Sequence, residues 1–297
     1  MRKPIAVACS DVHLSDKAPR ARAGEPDWHL KMEEALKLLT DVSLDLDVPL
    51  IIAGDVFHKP RESPAVEILA MKWLSRTRVI MVPGQHDLPN HSIENIGKSS
   101  YGVLEAHLRE VSHNYNPKSD KLNVSYFPFD AEKKNAKKSP YPGIAVVHDM
   151  VWKGEEPYPG APEEGNVKNF IKKLKGYEFI ICGDNHSPFV YETEETTVIN
   201  CGSLMRRTAD QEDHKPRAYV LFDDGSYDAV FLPVEDDVFS REHCDISRAK
   251  DERIEAYVNN LKEIEMDLSF ESNLKRFCEV NKVEDKVVEL LKEAVNV

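Results

Sequence analysis

The sequence predicts a layered α/β fold, and two observations support that prediction. Six short runs are apolar on both faces and end in turn or polar residues, which is typical of strands buried inside a layered sheet. Stretches with helix-like spacing of apolar residues lie between several of these runs. Such alternation favours sheets covered by helices. The predicted strands are Ile5–Cys9, Leu50–Ala53, Val79–Val82, Ile144–Val147, Phe179–Cys182 and Val198–Cys201.

Three helices are predicted between these strands. In Leu30–Leu46, apolar residues recur at intervals that place them on one helical face. The segment Ser63–Trp73 opens with Ser63-Pro64. This pair predicts a helix start, because serine caps a helix N-terminus and proline fits its first turn. A shorter candidate is Asn166–Leu174.

The C-terminal part of the sequence changes in character. Ala218–Phe222 and Ala229–Leu232 flank an Asp-Asp-Gly-Ser segment, which predicts a β-hairpin. Further on, Ser247–Met266 carries one apolar stripe on a charged helix. We therefore expect two parts, an α/β domain over residues 1–235 and a charged helical C-terminal appendage over residues 236–297.

The composition bounds the class of protein. The 297 residues include 52 Asp or Glu against 39 Lys or Arg, a net charge of −13. Because 16 acidic and 10 basic residues lie in residues 236–297, the total charge does not decide whether the main domain binds an anionic partner. No apolar run approaches the ~18 residues of a spanning helix. The five cysteines include no C-x-x-C pair, which favours reduced thiols. We expect a cytoplasmic protein (in the host cytoplasm if phage-encoded) that binds no membrane.

Each predicted strand is followed by residue types that bind metal ions. The carboxyl ends of strands in α/β sheets meet at one rim, so these side chains should converge. Mixed carboxylate and imidazole ligands suit Mn, Fe or Zn, and so many ligands predict two ions bridged by a carboxylate. One such segment alone would usually be a turn or a helix cap, but six in order argue for a metal site. The segments are Ser10-Asp11-Val12-His13, Gly54-Asp55, Gly84-Gln85-His86-Asp87, His148-Asp149, Gly183-Asp184-Asn185-His186 and Asn200-Cys201-Gly202-Ser203.

The order of these segments resembles the calcineurin-like metallophosphoesterases, whose pattern is D-x-H, G-D-x-x-D, G-N-H-D, a later His and G-H-x-H. The resemblance extends over residues 5–235 and implies an α/β/β/α metallophosphoesterase sandwich. Local details resemble one branch, the SbcD-type nuclease subunit of double-strand-break repair, together with phage recombination endonuclease subunits. Those details are Asp11-Val12-His13-Leu14, Gly54-Asp55-Val56-Phe57 and Gly202-Ser203-Leu204-Met205-Arg206-Arg207.

The resemblance implies a metal-binding role for seven residues. The first ion would take both side chains of the D-x-H motif together with His186, and Asp55 would bridge the two ions. The second ion would take Gln85 and His148, with Asp184 as a further ligand. The full set is Asp11, His13, Asp55, Gln85, His148, Asp184 and His186.

The resemblance also implies a general acid. His86 would protonate the leaving alkoxide while a hydroxide activated by the two metals attacks phosphorus, and histidine can donate a proton near neutral pH. Five further residues are candidates for supporting the ligands or contacting phosphate: His58, Asp87, Asn200, Arg206 and Arg207.

Three positions depart from the family pattern. Gln85 stands where the family usually has Asn, Asp184 replaces the first His of G-H-x-H, and His58 replaces the last Asp of G-D-x-x-D. The extra carboxylate should favour harder ions such as Mn or Mg over Zn. These departures leave open a retuned activity, or a degenerate copy that binds without catalysis.

The sequence therefore predicts a metal-dependent phosphodiesterase that acts as a DNA exo- or endonuclease subunit in repair or recombination. Manganese is the preferred cofactor, with Mg, Fe or Zn as alternatives. The partners that the resemblance implies are DNA and an ATPase subunit of the SbcC type, while a homodimer is left open. The alternative functions are another calcineurin-like phosphoesterase, acting on a phosphoprotein or a small phosphodiester, and a non-catalytic binding module.

Overall fold

The chain forms two compact units, Met1–Ser240 and Arg241–Val297. In the second unit, the helix Phe270–Val280 buries Cys278, and the predicted helix Ser247–Met266 lies outside the described residues. No helix in the described ranges is long and apolar enough to cross a membrane. The computed structural model describes residues 2–112, 122–131, 143–156, 161–235, 238–241, 244, 270–283 and 286–290.

The first unit contains two five-stranded mixed sheets. The first sheet has the order β10-β9-β1-β2-β3, and the second has the order β4-β5-β6-β8-β7. In the first sheet, β1, β2 and β3 run parallel and the antiparallel hairpin of β9 and β10 pairs beside β1. In the second sheet, β4, β5, β6 and β8 run parallel and β7 is an antiparallel edge strand. The strands of the described residues are β1 (Pro4–Cys9), β2 (Leu50–Ala53), β3 (Val79–Val82), β4 (Val124–Phe127), β5 (Ile144–Asp149), β6 (Phe179–Asp184), β7 (Phe189–Glu192), β8 (Thr197–Asn200), β9 (Arg217–Phe222) and β10 (Tyr227–Phe231).

Helices cover the outer face of each sheet. The first sheet packs against α1 (Trp28–Leu46), α2 (Pro64–Leu74) and α3 (Ser100–Ser112), and the second packs against α4 (Val167–Phe170). A third apolar cluster lies between the sheets, where alternate side chains of β1, β2 and β3 meet those of β5, β6 and β8. The four layers confirm the predicted α/β/β/α sandwich.

In the described part of the first unit, two strands and one α-helix were not predicted from the sequence. β4 and β7 are edge strands whose side chains are mostly half-buried or exposed, so they lack the continuous apolar run of a central strand. α3 carries a charged outer face. The predicted hairpin is present, but its second strand spans Tyr227–Phe231 instead of Ala229–Leu232.

The carboxyl ends of the parallel strands meet at one rim of the sandwich. The two sheets are tied together there by an isolated parallel bridge between Ser10, after β1, and Ser203, after β8. The Ser10 hydroxyl also donates to the Gly202 carbonyl at 3.1 Å. The residues that follow β1, β2, β3, β5 and β6 therefore converge on one volume.

Asp47 ends α1 in the left-handed conformation, with φ of 54°. Its N–H donates to the Leu44 carbonyl, and the Val48 N–H donates to the Ser43 carbonyl, each at 3.1 Å. This is a Schellman ending, in which glycine is normally preferred because it has no Cβ.

Replacing Asp47 by glycine should raise the free energy of unfolding by about 1 kcal/mol, since glycine adopts this φ without steric cost. Asp47→Val should lower it by about 1–2 kcal/mol. Urea unfolding measures both, and Asp45→Gly, in the last turn of α1, serves as the control that should lose up to about 1 kcal/mol. Equal stability of Asp47→Gly and Asp47→Val would contradict the assigned backbone conformation.

Candidate metal centre

Among the described residues, three groups of side chains lie at this rim, and within each group the ligand atoms are within 4.8 Å of one another. Five of the seven predicted metal ligands take part in these groups, Gln85 joins them through its hydrogen bond with His148, and Asp184 joins through its hydrogen bond with Gln85. The predicted ligands thus lie together although they come from separate loops. The groups are Asp11, His13 and His186; Asp11, Asp55 and His148; and His13, His58 and His86.

Asp55 lies between two of these groups. Its Oδ2 is 3.7 Å from His13 Nε2, and its Oδ1 is 3.5 Å from His148 Nε2. The side chain is fully buried, and Oδ2 has no hydrogen-bond partner in the described structure. A carboxylate that faces two sets of ligands with one oxygen each has the arrangement needed to bridge two cations.

The first set is centred on two facing imidazoles. His13 Nε2 and His186 Nε2 are 3.0 Å apart, and His186 Nε2 is 3.7 Å from Asp11 Oδ1. Burial, followed by the charge of Arg207, holds the pKa of His13 well below its usual range, so this ring is neutral. Two imidazole nitrogens that face each other beside carboxylates fit a divalent cation.

The second set is centred on His148. Its Nδ1 lies 2.8 Å from the Ala53 carbonyl and its Nε2 lies 2.7 Å from Gln85 Oε1. The Gln85 amide is oriented by its Nε2, which donates to Asp184 Oδ1 at 2.5 Å. The raised pKa of His148 keeps its ring protonated in the metal-free protein, so Nδ1 donates to the Ala53 carbonyl and Nε2 donates to the Gln85 amide oxygen. A cation that displaces the Nε2 proton would be bound by this nitrogen and by the amide oxygen, so Gln85 can serve where the family usually has Asn.

Protons balance the buried carboxylates when no cation is present. Burial raises the pKa of Asp11 to about 7, and the nearby charge of Asp55 acts in the same direction. Burial alone would lower the pKa of His148, but the hydrogen bond and charge of Asp55 raise it to about 10. Burial raises the pKa of Asp55, yet the same interaction with His148 outweighs it and leaves that pKa below its usual value.

Three glycines make room for the His148 ring. A Cβ on Gly54 would lie 1.9 Å from His148 Nδ1, and one on Gly183 would lie 2.0 Å from the Ala53 carbonyl oxygen. A Cβ on Gly84 would lie 2.1 Å from Asp55 Oδ1. These glycines let the backbone approach the ligands closely. The Ala53 carbonyl is a contributor that the sequence analysis missed, because a main-chain group leaves no signal beyond the glycine that follows it.

Four predicted ligands adopt a left-handed backbone. Their φ values are 51° at Asp11, 49° at His13, 52° at Asp55 and 84° at Asp184. Such values are uncommon for residues other than glycine and cost about 1–3 kcal/mol each. Their concentration at one rim marks a functional site, since strain persists where the surrounding structure enforces it.

His86 is held with one ring nitrogen towards the site. Its Nδ1 lies 2.8 Å from the carbonyl oxygen of His58, and its backbone N–H donates to Asp55 Oδ1 at 3.0 Å. The His58 ring stacks on that of His86, with an interplanar angle of 18° and centroids 5.3 Å apart. Burial, then the charge of Arg207, lowers the pKa of His58 to about 4. His58 is thus neutral and supports His86 through its carbonyl and its ring face.

Asp87 and Asn200 support loops from buried positions. Asp87 is fully buried and accepts backbone N–H groups of Val56, Phe57 and Gly84 at 2.9–3.2 Å. It therefore joins the loop after β2 to the loop after β3. Asn200 is also fully buried, and its Nδ2 donates to carbonyls of the loop that carries His186. Neither side chain is accessible to a phosphate.

Arg206 and Arg207 lie inside the fold as well. Arg206 donates to the carbonyls of Glu212, at 2.7 Å, and Glu235. Arg207 donates from Nη1 to the His13 carbonyl at 2.8 Å. Both are less than a tenth exposed, which favours a structural role and places neither on a phosphate-binding surface. The paired arginines resemble an exposed basic patch in the sequence only because arginine is seldom buried.

The family model of the calcineurin-like phosphoesterase superfamily domain matches residues 5–223. The chain belongs to this superfamily. The match confirms the superfamily predicted from the motifs and agrees with a hydrolase that uses two metal ions, while the SbcD-type branch remains a prediction.

Solved structures similar to this superfamily member include several phosphoesterases. An archaeal phosphodiesterase is 15% identical with a TM-score of 0.39, covering 78% of this chain and 100% of its own. The phosphopantetheinyl hydrolase of Mycobacterium tuberculosis is 15% identical with a TM-score of 0.40, covering 78% and 97%. A dimetal phosphatase from Danio rerio is 12% identical with a TM-score of 0.45, covering 74% and 94%. These similarities are too distant to indicate a substrate.

Asp11→Asn should stabilise the metal-free protein, and more so at higher pH. The pKa of Asp11 is about 7 in the folded state and about 4 in an unfolded chain. The folded protein therefore holds this proton more tightly, which adds to the free energy of unfolding at low pH. That contribution is lost as the pH rises from about 4 to about 7. The Tm difference between variant and wild type in EDTA should grow by several degrees from pH 5 to pH 8. Added Mn²⁺ should raise the Tm of the wild type more than that of the variant.

The control for this pH series is Asp45→Asn, an exposed carboxylate on α1. Its Tm difference from the wild type should stay constant across the same range. A constant difference for Asp11→Asn as well would contradict the raised pKa.

Arg207→Met should weaken Mn²⁺ binding by about tenfold, because the variant loses the guanidinium that anchors the His13 carbonyl. Isothermal titration calorimetry measures the affinity, and urea unfolding measures the accompanying loss of stability. Arg206→Met is the matched control, since it removes an equally buried guanidinium that bonds carbonyls of Glu212 and Glu235 instead. If both variants bind Mn²⁺ alike, Arg207 has no specific role in positioning His13.

Proposed function

We propose that this chain is a divalent-metal-dependent phosphodiesterase that cleaves DNA as the nuclease subunit of a repair or recombination complex. Manganese is the proposed metal. The proposal includes an ATPase partner of the SbcC type, which follows from the motif resemblance, and a cytoplasmic location, which follows from the cysteine pattern. The superfamily and the metal centre support the hydrolase class, and the DNA substrate is the part that requires a test.

One observation carries the nuclease assignment. Leu14 and Phe57, by which the D-x-H-L and G-D-x-F segments resemble the nuclease branch, form a parallel bridge and are fully buried. The His58 N–H donates to the Leu14 carbonyl at 2.9 Å, and the His58 carbonyl in turn accepts from His86. The residues that resemble this branch therefore build the support of the proposed acid.

The residues of the centre suit phosphodiester hydrolysis. Bound divalent ions would neutralise the phosphate charge and lower the pKa of a water molecule. Asp55 would hold both ions, with the two ligand sets on either side of it. Because Nδ1 of His86 is committed to the His58 carbonyl, its Nε2 is the atom that would carry the proton to the leaving oxygen. Exposed Lys59 follows His58 at the same rim and adds positive charge for the substrate.

A second candidate follows from the buried arginines. With Arg206 and Arg207 bonded inside the fold, the rim of the site is less basic than the sequence suggested. A shorter substrate, such as a phosphoprotein or a small phosphodiester, needs less of a basic track than DNA does. This observation favours the alternative phosphoesterase function over a nuclease that binds DNA tightly by itself.

His86→Asn should lower kcat on linear DNA with Mn²⁺ by about a hundredfold or more, because the leaving alkoxide loses its proton donor. The loss on bis-p-nitrophenyl phosphate should be less than about tenfold, since nitrophenolate departs without a proton. His91→Asn, an exposed histidine outside the three ligand groups, is the matched control and should keep full activity on both substrates.

The same assays separate the two candidate functions. Hydrolysis of a phosphopeptide by a protein that leaves single- and double-stranded DNA intact would refute the nuclease proposal. Equal losses on DNA and on the nitrophenyl ester would refute the role of His86 as general acid. Asp55→Asn should remove activity on every substrate.

A further inference from the structure

A groove of about 920 Å³ runs along one side of the sandwich, away from the ligand side chains. Its floor is β3, its walls come from α3 and from the outer strand β4 of the second sheet, and its upper end reaches Pro83. Among the described strands, β3 pairs with β2 alone. The groove therefore follows a sheet edge.

The backbone of β3 presents hydrogen-bonding groups to this groove. The Leu50 N–H of β2 donates to the Arg78 carbonyl at 2.9 Å, and the two strands pair in parallel from Val79 onwards. In a parallel ladder, alternate residues turn both their N–H and C=O to the same neighbour. Since Arg78 faces β2, the N–H and C=O of Val79 and Met81 face the groove. An edge of this kind accepts an added strand.

The lining of the groove defines the chemistry of such a strand. Apolar side chains of the lining remain open to solvent, with Ile93, in the segment before α3, 47% exposed and Tyr126 of β4 55% exposed. Three arginines line the groove, at positions 76, 78 and 109, against one lining acid, Glu105; Arg109 pairs with Glu105 and Arg76 pairs with Asp41 outside the lining, each at 2.8 Å. The surroundings therefore complement a segment that carries apolar side chains together with acidic ones.

We propose that this groove binds an extended segment of a partner protein, which adds to β3 as a further strand and presents acidic side chains among apolar ones. A peptide satisfies both the backbone groups of Val79 and Met81 and the apolar walls. A nucleic acid would meet the arginines but would leave the strand edge without partners. The peptide is therefore the favoured occupant.

The position of the groove links it to the metal centre. β3 leads directly into Gly84 and the loop that carries His86. At the upper end, the Phe129 N–H donates to the Pro83 carbonyl at 3.1 Å. A strand bound to β3 would contact the strand that leads into the His86 loop. A partner would therefore influence the His86 loop without entering the site.

The probe is a fluorescein-labelled peptide of alternating acidic residues and valine, acetyl-EVDVEVD-amide, added to the full-length protein. Fluorescence anisotropy should give micromolar binding, and hydrogen exchange should slow at Val79 and Met81 on binding. The lysine-substituted peptide KVKVKVK should not bind. The same acidic peptide with N-methyl groups on alternate amides should bind at least about tenfold more weakly, because it cannot complete the strand ladder.

Variants test the lining. The double substitution Arg78→Glu with Arg109→Glu should weaken binding of the acidic peptide by about tenfold or more. Lys168→Glu, an exposed charge reversal on α4, is the matched control and should bind like the wild type. Circular dichroism and the thermal midpoint verify that each variant is folded.

Several results would overturn the proposal. One is the absence of peptide binding at millimolar concentration. Another is binding that neither N-methylation nor the arginine substitutions weaken. A third is hydrogen exchange at Val79 and Met81 that is already as slow in the free protein as in β2. Protection of β3 by an oligothymidine instead of the peptide would assign the groove to nucleic acid and would also refute it.

Discussion

The structure around the metal centre depends on three carboxylates that are buried at one rim and need hydrogen-bond donors or cations around them. Asp11, Asp55 and Asp87 are each fully buried, and a buried carboxylate is stable only with donors or cations around it. Asp87 takes three backbone N–H groups, Asp55 takes that of His86, and Asp11 takes that of Asp184. Except for the bond from Gly84, which lies in the same loop as Asp87, these bonds join segments at the ends of different strands. The buried carboxylates therefore hold the loops together through hydrogen bonds, and their negative charge favours the binding of cations.

The same requirement explains the strained backbone. Left-handed φ values at Asp11, His13 and Asp55 turn the backbone sharply after its strand, so that side chains reach the centre within four residues of the strand end. The cost is offset by hydrogen bonds that would be lost in a relaxed loop, such as that from the His13 N–H to the Asp55 carbonyl at 2.9 Å. Metal binding and loop conformation are thus parts of one arrangement, and stability is given up there for the sake of preorganised ligands.

Much of this arrangement follows from the sequence, for physical reasons that differ between elements. Central strands such as β2 are buried on both faces, so they are recognisable as apolar runs, and the polar residues after them fall where parallel strands end. The edge strand β4 was missed because its exposed side chains resemble a loop. The support of His86 by the His58 carbonyl could not be predicted from the sequence, since every residue has a carbonyl. The burial of Arg207 depends on tertiary contacts with His13 that no local pattern records.

The order of the strands has a consequence for how the chain reaches its final state. Strands β4 to β8 of the second sheet lie in the sequence between β3 and β9, the strand that pairs with β1. During synthesis on the ribosome, more than half of the chain is made after β1 before β9, its second neighbour in the sheet, emerges. The ligands after β1 and β6 meet only once both sheets have docked. Assembly of the centre is therefore a late event governed by long-range contacts, and such topologies fold slowly.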